Sequence, residues 1–230
     1  MKIFVQNEKM INLILANHNL LPVIHRFGIR LGFRNKTVQQ LCNQYNINTD
    51  FFLLIVNTFH NPKYFPEEKL LEYSPLLIID YLKKTHNYYR NYSLPRIEKL
   101  FQELQKSSRH PNNEMQITEE FFRNYKQKVL EHIADEEQKV FPYITTLIEH
   151  PDQLRKKKIQ LSFEDEHKSV DLEIDDLKTL IIKYINPDYD ELICNALLIE
   201  ISRFEKDILD HSRIEDTILI PQVNRLQKQI

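Results

Sequence analysis

A histidine, a glutamate four residues later and a proline six residues beyond the glutamate form a pattern that occurs twice in this chain. The two copies are His132-Ile-Ala-Asp-Glu136, before Pro142, and His211-Ser-Arg-Ile-Glu215, before Pro221. On a helix, positions four residues apart lie on the same face. Each copy therefore presents one imidazole and one carboxylate at a single point, a donor pair that suits first-row metals such as iron. Two copies that face each other predict a site for two metal ions.

A further histidine precedes each copy by a similar distance. His86 lies 46 residues before His132, and His167 lies 44 residues before His211. This near-equal spacing indicates two helical hairpins related by a pseudo-twofold axis, as expected for an internal repeat. The predicted metal ligands are His86, His132, Glu136, His167, His211 and Glu215.

The composition favours an all-helical protein. The chain has only 2 glycines in 230 residues, whereas β-rich and dinucleotide-binding folds need more for turns and phosphate loops. Its net charge of -2 gives no general attraction to nucleic acid or to anionic lipid, so neither is expected as a partner. Residues 51–56, the longest obvious apolar run, fall far short of the ~18 residues of a membrane span. Without a signal-peptide pattern, and with too few cysteines for a disulfide framework, a cytoplasmic location is expected.

Four long helices are expected to position the metal ligands. Ser74 followed by Pro75 is a strong helix start, and this first helix should run past His86, with a kink or break at Pro95. The other three are expected from Thr118, around His167 up to Asn186, and from Tyr189 to the C-terminus. Helices of this length with short connections predict an up-down-up-down four-helix bundle.

A small helical unit is predicted in front of the bundle. It covers residues 1–60, and Thr49 or Asp50 is expected to cap one of its helices. Residues 61–74 contain two prolines and are interpreted as a linker, because proline interrupts helices. The bundle then covers residues 75–230.

Each part of the metal pattern has a simpler structural interpretation. A lone histidine is more often structural than a ligand, and a His-x-x-x-Glu pair is often an ordinary surface pair. Here apolar residues flank both pairs, which predicts that the pairs face inward, where unpaired carboxylates are costly. These residues are Leu130, Ile133, Val140 and Phe141 for the first pair, and Ile208, Leu209, Ile214, Ile218 and Leu219 for the second. A structural bundle that takes up adventitious zinc is the remaining simple alternative.

The spacing also separates this site from better-known metal motifs. Ferritin-type di-iron bundles use Glu-x-x-His, which occurs here at Glu164 and His167 but at no other predicted ligand histidine. A zinc-protease motif is missing, and two cysteines are too few for a cysteine-based zinc or iron–sulfur site. Four residues near the ligands are candidates to orient them, namely Asp135, Asp216, Tyr88 and Tyr89.

With all six positions filled, the chain resembles the hemerythrin-like, or His-His-Glu, family over about residues 75–226. The flanking sequences agree in Thr85-His86-Asn87-Tyr88-Tyr89-Arg90 with Leu94-Pro95, in Glu166-His167, and in His211-Ser-Arg-Ile-Glu215-Asp216 through Leu219-Ile-Pro221. More narrowly, the chain resembles the RIC group of iron–sulfur cluster repair proteins. Their short N-terminal domain is matched by Phe27-Gly-Ile-Arg-Leu31 and Lys36-Thr-Val-Gln-Gln-Leu-Cys42. The adjacent cysteines usual in that domain are replaced here by Leu31-Gly32-Phe33-Arg34.

The resemblance implies a centre of two iron ions joined by an oxo or hydroxo bridge. Both glutamates would bridge the ions, and two histidines would bind each ion, in a pairing that the sequence leaves open. It further implies repair of iron–sulfur clusters damaged by nitrosative or oxidative stress, with apo or damaged cluster proteins as partners and a homodimer as one expected assembly. The alternative is binding, sensing or reduction of nitric oxide or dioxygen at the same centre.

Overall fold

The structure, a computed structural model, describes residues 2–110, 113–154 and 164–228. Within these ranges the regular secondary structure is helical, apart from one isolated antiparallel bridge between Lys9 and Thr37. The predicted all-α class and the four-helix bundle are therefore confirmed. Among the helices in these ranges, none is both long enough and apolar enough to cross a membrane.

Short helices precede the bundle. They are α1 Met10–Ala16, α2 Leu20–Arg26, α3 Val38–Gln44, α4 Thr49–His60 and α5 Glu67–Leu70. The expected cap of α4 was wrong by one residue: the side-chain oxygen of Asn48 accepts a hydrogen bond of 2.9 Å from the Phe51 N–H. Asparagine caps helices as well as aspartate does, and Asn48 stands directly before the two candidates.

The bundle consists of four long helices, three of which contain a π-helical turn. The first joins α6 Pro75–Tyr88 and α7 Leu94–Ser107, and the second joins α8 Asn113–Asp135 and α9 Phe141–Glu149. The third is α10 Glu164–Tyr184, and the fourth joins α11 Glu191–Ile214 and α12 Ile220–Gln227. Ser74 caps α6 as predicted, because its hydroxyl accepts a hydrogen bond of 3.3 Å from the Leu76 N–H.

A proline follows each π-helical turn after one intervening residue. The turns cover Tyr89–Ser93, Glu136–Val140 and Glu215–Leu219, and the prolines are Pro95, Pro142 and Pro221. Proline has no N–H and its ring collides with the carbonyl of the preceding helical turn, so an α-helix is disturbed at this point. In each case the residue before the proline donates its N–H to the carbonyl five residues back, and the helix continues. The expected break at Pro95 is thus a widened turn.

Two hydrophobic cores lie on either side of the predicted ligands. The first combines the N-terminal helices with the start of α6, with α9 and with α12. The second fills the rest of the bundle, between α7, α8, α10 and α11. Along the chain, His86 falls between Leu82 of the first core and Tyr89 of the second, and His211 falls between Ile208 and Ile214. The polar side chains therefore form a layer between two apolar regions.

The N-terminal helices pack closely against the bundle. The guanidinium of Arg26 on α2 forms a two-point ion pair with Asp207 on α11, and its Nη1 lies 2.9 Å from the Asp207 Oδ1. The Nε2 of Gln222 donates to the carbonyl oxygens of Leu71 and Tyr73, at 3.0 and 2.7 Å. The division of the chain at residues 61–74 stays a prediction, since the first core extends across it.

Candidate metal centre

The six predicted ligands come together in the middle of the bundle, one or two from each long helix. His86 is on α6, His132 is at the end of α8, His167 is on α10 and His211 is on α11. Glu136 and Glu215 are the first residues of two π-helical turns. Both glutamates and His86 are fully buried, and the other histidine side chains are 4 to 12 % exposed.

The four histidine rings lie in two pairs. The Nε2 atoms of His86 and His211 are 3.2 Å apart, and those of His132 and His167 are 3.1 Å apart. Each pair combines one histidine from the first sequence repeat with one from the second. The pairing depends on which helices face each other, and one sequence does not reveal this.

Each glutamate reaches both histidine pairs, with one oxygen for each. Glu136 Oε2 lies 3.2 Å from the His86 Nε2, and its Oε1 lies 3.4 Å from the His132 Nε2. Glu215 Oε1 lies 3.1 Å from the His211 Nε2, and its Oε2 lies 3.4 Å from the His167 Nε2. Two four-residue groups of converging donor atoms result, and they share both glutamates.

Acidic residues outside the six hold two of the histidine rings. The Nδ1 of His86 lies 3.0 Å from the Glu137 Oε1, and the Nδ1 of His167 lies 2.9 Å from the Asp216 Oδ2. When Nδ1–H donates to a carboxylate, the neutral ring keeps its lone pair on Nε2, as metal-binding histidines require. Each of these acids directly follows a predicted ligand glutamate, so the internal repeat extends to the groups that orient the ligands.

Sequence reasoning found only part of this outer set. Asp216 was among the candidates, whereas Glu137 was missed, although its position after Glu136 repeats that of Asp216 after Glu215. Asp135 was wrong, because its carboxylate pairs with Lys139 on the outside of the helix, at 2.8 Å. Of the expected apolar neighbours, Leu209 is also misplaced, since it is 42 % exposed.

The buried imidazoles and carboxylates of the cluster shift one another's pKa values. Burial would lower the pKa of His86, but the carboxylates of Glu136 and Glu137 raise it to about 9. Burial would also lower the pKa of His167, but the carboxylates of Asp216 and Glu215 raise it to about 10. The pKa of Glu136 is raised by burial and then by the negative charge of Glu215.

The arrangement fits metal cations better than it fits a hydrogen-bonded network. Within the described residues, all four carboxylate oxygens of Glu136 and Glu215 are buried without a hydrogen-bond donor in suitable geometry. Such atoms are costly unless a cation or a donor reaches them. Two donors bound to one ion at adjacent positions, with bonds of about 2.1 Å, lie about 3 Å apart. The separations of 3.1 to 3.4 Å between donor atoms are close to that value.

Neither cysteine belongs to this cluster. Cys42 and Cys194 are both buried free thiols that form no disulfide, and Cys42 lies in the first core. Burial raises the pKa of the Cys42 thiol to about 11, against a smaller opposing effect of Thr49. The donors that converge at the candidate centre are therefore imidazoles and carboxylates.

Comparison with known proteins agrees with this site. Residues 77–223 match the family model described as the hemerythrin HHE cation-binding domain. No match is found among curated proteins. The matched region contains all six converging side chains and covers more than half of the chain, so the chain belongs to the hemerythrin HHE cation-binding family.

Proposed function

We propose that this protein binds two iron ions and repairs iron–sulfur clusters damaged by nitrosative or oxidative stress, by donating iron. The observation that carries the metal part is the sharing of Glu136 and Glu215 between the two histidine pairs. A bound pair of ions would neutralise both buried carboxylates at once. The resemblance of the chain to the RIC group supports the repair part.

The donor set favours iron among the first-row metals. Each position would offer two imidazole nitrogens and two carboxylate oxygens, without a thiolate. Mixed histidine and carboxylate ligands with open coordination positions are typical of non-haem ferrous iron. Structural zinc sites are instead closed by four ligands and commonly include cysteine.

The side chains of the chain have distinct tasks in this proposal. His86, His132, His167 and His211 would bind the ions, and Glu136 and Glu215 would bridge them. Glu137 and Asp216 would keep Nδ1 protonated on the two rings that they contact. When bound, iron supplies redox chemistry and open positions for small ligands. The surrounding cores would exclude water, and an ion would leave on the side of His132, whose side chain is 12 % exposed.

The N-terminal helices are proposed to serve for docking or dimerisation rather than thiol chemistry. The adjacent cysteine pair of the related short domains is missing, and the remaining Cys42 is fully buried. A raised thiol pKa keeps it protonated at neutral pH, and thiols react as thiolates. The proposed partners are apo or damaged iron–sulfur proteins, and the proposed location is the cytoplasm.

A second candidate function is supported by a cavity beside the centre. This cavity has a volume of about 10 Å³ and is partly lined by His132, His167 and His211. That volume accommodates one water-sized molecule. Binding, sensing or reduction of nitric oxide or dioxygen would begin from this space and would require it to widen, because a diatomic molecule is larger than water.

An iron transfer assay tests the proposal. The purified protein is loaded anaerobically with ferrous iron, freed of excess metal and mixed with an apo-ferredoxin, sulfide and a thiol reductant. We expect about two irons per chain before mixing, and cluster formation in the acceptor that is slower with an equal amount of iron held by a strong chelator. Two retained irons without transfer would contradict repair, and nitrous oxide formation from nitric oxide under a reductant would favour the second candidate.

A further inference from the structure

A second, much larger cavity, of about 890 Å³, lies where the N-terminal helices meet the bundle. Its walls come from α2, from the end of α4, from the first π-helical turn and from the middle of α11. Binding pockets for small molecules have volumes of about 300–1,000 Å³ and are frequent at domain interfaces. This space, called the junction cavity below, has the size and the place of such a pocket.

The junction cavity is separate from the candidate metal centre. Among its described lining residues, none is a predicted metal ligand. Phe204 belongs to its wall, and the ring of Tyr89 stands between Phe204 and His211, with centroid distances of 5.1 and 5.8 Å. A molecule in the junction cavity would therefore lie outside the layer of histidines and glutamates.

The walls of the junction cavity are mostly apolar and offer an aromatic face. The ring of Tyr92 stacks on that of Tyr88, with centroids 5.1 Å apart and planes inclined by 27°. Tyr92 and Ile199 are 50 % and 51 % exposed, so two large apolar side chains of the cavity are open to solvent. Exposed apolar surface around a concave site marks a place where a ligand or partner binds. A planar ring system would stack favourably on Tyr92.

Lys206 adds a positive charge to the junction cavity. Its ammonium group donates a hydrogen bond of 2.9 Å to the Phe59 carbonyl, which leaves further N–H donors for another group. Among the described residues, no carboxylate lies within ion-pair distance of Lys206, and Asp210 acts on it only from farther away. An anionic group entering the cavity would find this ammonium available.

The two carboxylates that line the cavity already have cationic partners. Glu200 pairs with Arg203 at 3.0 Å, and Asp207 pairs with the buried guanidinium of Arg26. Arg26 also lies over the ring of Tyr88, 4.8 Å from its centroid, behind the aromatic face. With both carboxylates paired, the charge of Lys206 is in excess, and the cavity favours an anion over a cation.

We propose that the junction cavity binds a small planar aromatic anion, whose rings stack on Tyr92 and whose acidic group pairs with Lys206. Such a ligand combines an apolar body with one charged group, which matches a largely apolar pocket that has few polar groups. This binding requires no metal ion. It therefore adds a ligand site to the proposed cluster repair and does not depend on it.

The test is a fluorescence titration of the full chain with anilinonaphthalene sulfonate, an aromatic anion that becomes fluorescent in apolar surroundings. We expect saturable binding of one dye per chain, with the same affinity for ferrous-loaded and metal-free protein. Ser202→Trp places a large side chain in the cavity from an exposed position of α11 and should reduce the bound dye to near zero.

Two further variants separate the charge from the stacking face. Lys206→Gln keeps a donor for the Phe59 carbonyl but removes the charge, and Tyr92→Ala removes the ring. Each should weaken dye binding by roughly 3- to 10-fold, as expected for one charge-assisted hydrogen bond at a half-exposed site and for one aromatic contact. The matched controls are Lys183→Gln and Tyr184→Ala, at exposed positions of α10, and both should bind as the wild type does.

Displacement of the dye tests the ligand class. Naphthoate should displace it at lower concentration than undecanoate, an alkyl carboxylate of equal carbon number, and than naphthamide, which lacks the charge. Stronger displacement by undecanoate would overturn the aromatic class, and equal displacement by naphthamide would overturn the role of Lys206. Wild-type dye binding in folded Ser202→Trp and Tyr92→Ala, judged by unchanged thermal unfolding, would overturn the site itself. Dye binding to a chain that retains no iron would support this site while contradicting the proposed metal centre.

Discussion

The two halves of the candidate centre are built from the same pattern but differ in exposure. The side chains of His86 and His211 are 0 % and 4 % exposed, whereas those of His132 and His167 are 12 % and 6 % exposed. The small cavity also lies against the second pair. The repeat has therefore produced a closed position at His86 and His211 and, mainly through the exposure of His132, a more open position at His132 and His167.

The groups that orient the rings are also held more firmly at the closed position than at the open one. Glu137, which holds the ring of His86, also forms an ion pair of 2.5 Å with Arg90. Hydrogen bonds from His86 and Arg90 lower the pKa of Glu137 to about 2, so this carboxylate stays charged. Asp216, which holds the ring of His167, has its other oxygen buried and unpaired within the described residues. The closed position, at His86 and His211, is thus more firmly constrained than the open position, at His132 and His167.

The largest effect is expected from loss of a shared carboxylate. Glu136→Ala and Glu215→Ala should each reduce iron content from about two to near zero. Each glutamate faces both positions, so its removal takes one carboxylate from each ion and leaves the positive charge of the ions less balanced. Iron per chain is measured after anaerobic loading. Glu131→Ala, an exposed residue on α8, is the control and should keep both ions. Retention of one ion in Glu136→Ala would show that the carboxylate serves one position only.

Removal of single histidines should separate the two positions. His132→Ala is expected to keep about one iron, because the buried His86–His211 position retains its own donors. His86→Ala should lose more iron, because it leaves an empty space at a fully buried side chain beside both carboxylates. Iron titration with a competing chelator measures both variants. Equal losses would contradict the distinction between a closed and an open position.

A smaller effect is expected from the residues that orient the rings. Glu137→Gln and Asp216→Asn should weaken binding at their own position by about 10- to 100-fold, as is usual for such partners of metal-bound histidines. Arg90→Ala should have a weaker effect in the same direction as Glu137→Gln. The expected result is loss of the ion at the closed position with Glu137→Gln and of the ion at the open position with Asp216→Asn. Stepwise metal competition distinguishes these two losses.

The smallest effect concerns the cysteines, one in each core. Cys42 and Cys194 should fail to react with an aromatic disulfide reagent at pH 8 in the folded protein, because burial raises the pKa of both thiols. Both should react after unfolding in guanidinium chloride. Rapid reaction of Cys42 in the folded chain would restore thiol chemistry as a task of the N-terminal helices.

Much of the centre could be predicted because its chemistry is local in sequence. The spacing of four residues between histidine and glutamate, repeated with its proline, identified both the helical face and the internal repeat. The pairing of His86 with His211 could not be predicted, because it depends on packing between helices that are far apart in sequence. Glu137 was missed because an acid one position beyond a buried residue usually faces solvent.

The π-helical turns account for other differences from the sequence-based expectation. Proline at position 95 was expected to kink or break the first helix, and it follows a widened turn, as Pro142 and Pro221 also do. Such turns are frequent at functional sites, and two of them begin at the shared glutamates. Leu209 was expected to flank the second pair on the inside of the bundle, but it is exposed, so apolar residues near a ligand in sequence do not all face the centre.

Anomalous diffraction at the iron edge, from crystals of the ferrous-loaded protein, tests the central claim most directly. The account predicts two peaks per chain, one between the rings of His86 and His211 and one between those of His132 and His167. The carboxylates of Glu136 and Glu215 should each contact both ions. A single peak, or peaks outside this layer, would contradict a two-ion centre with shared glutamates.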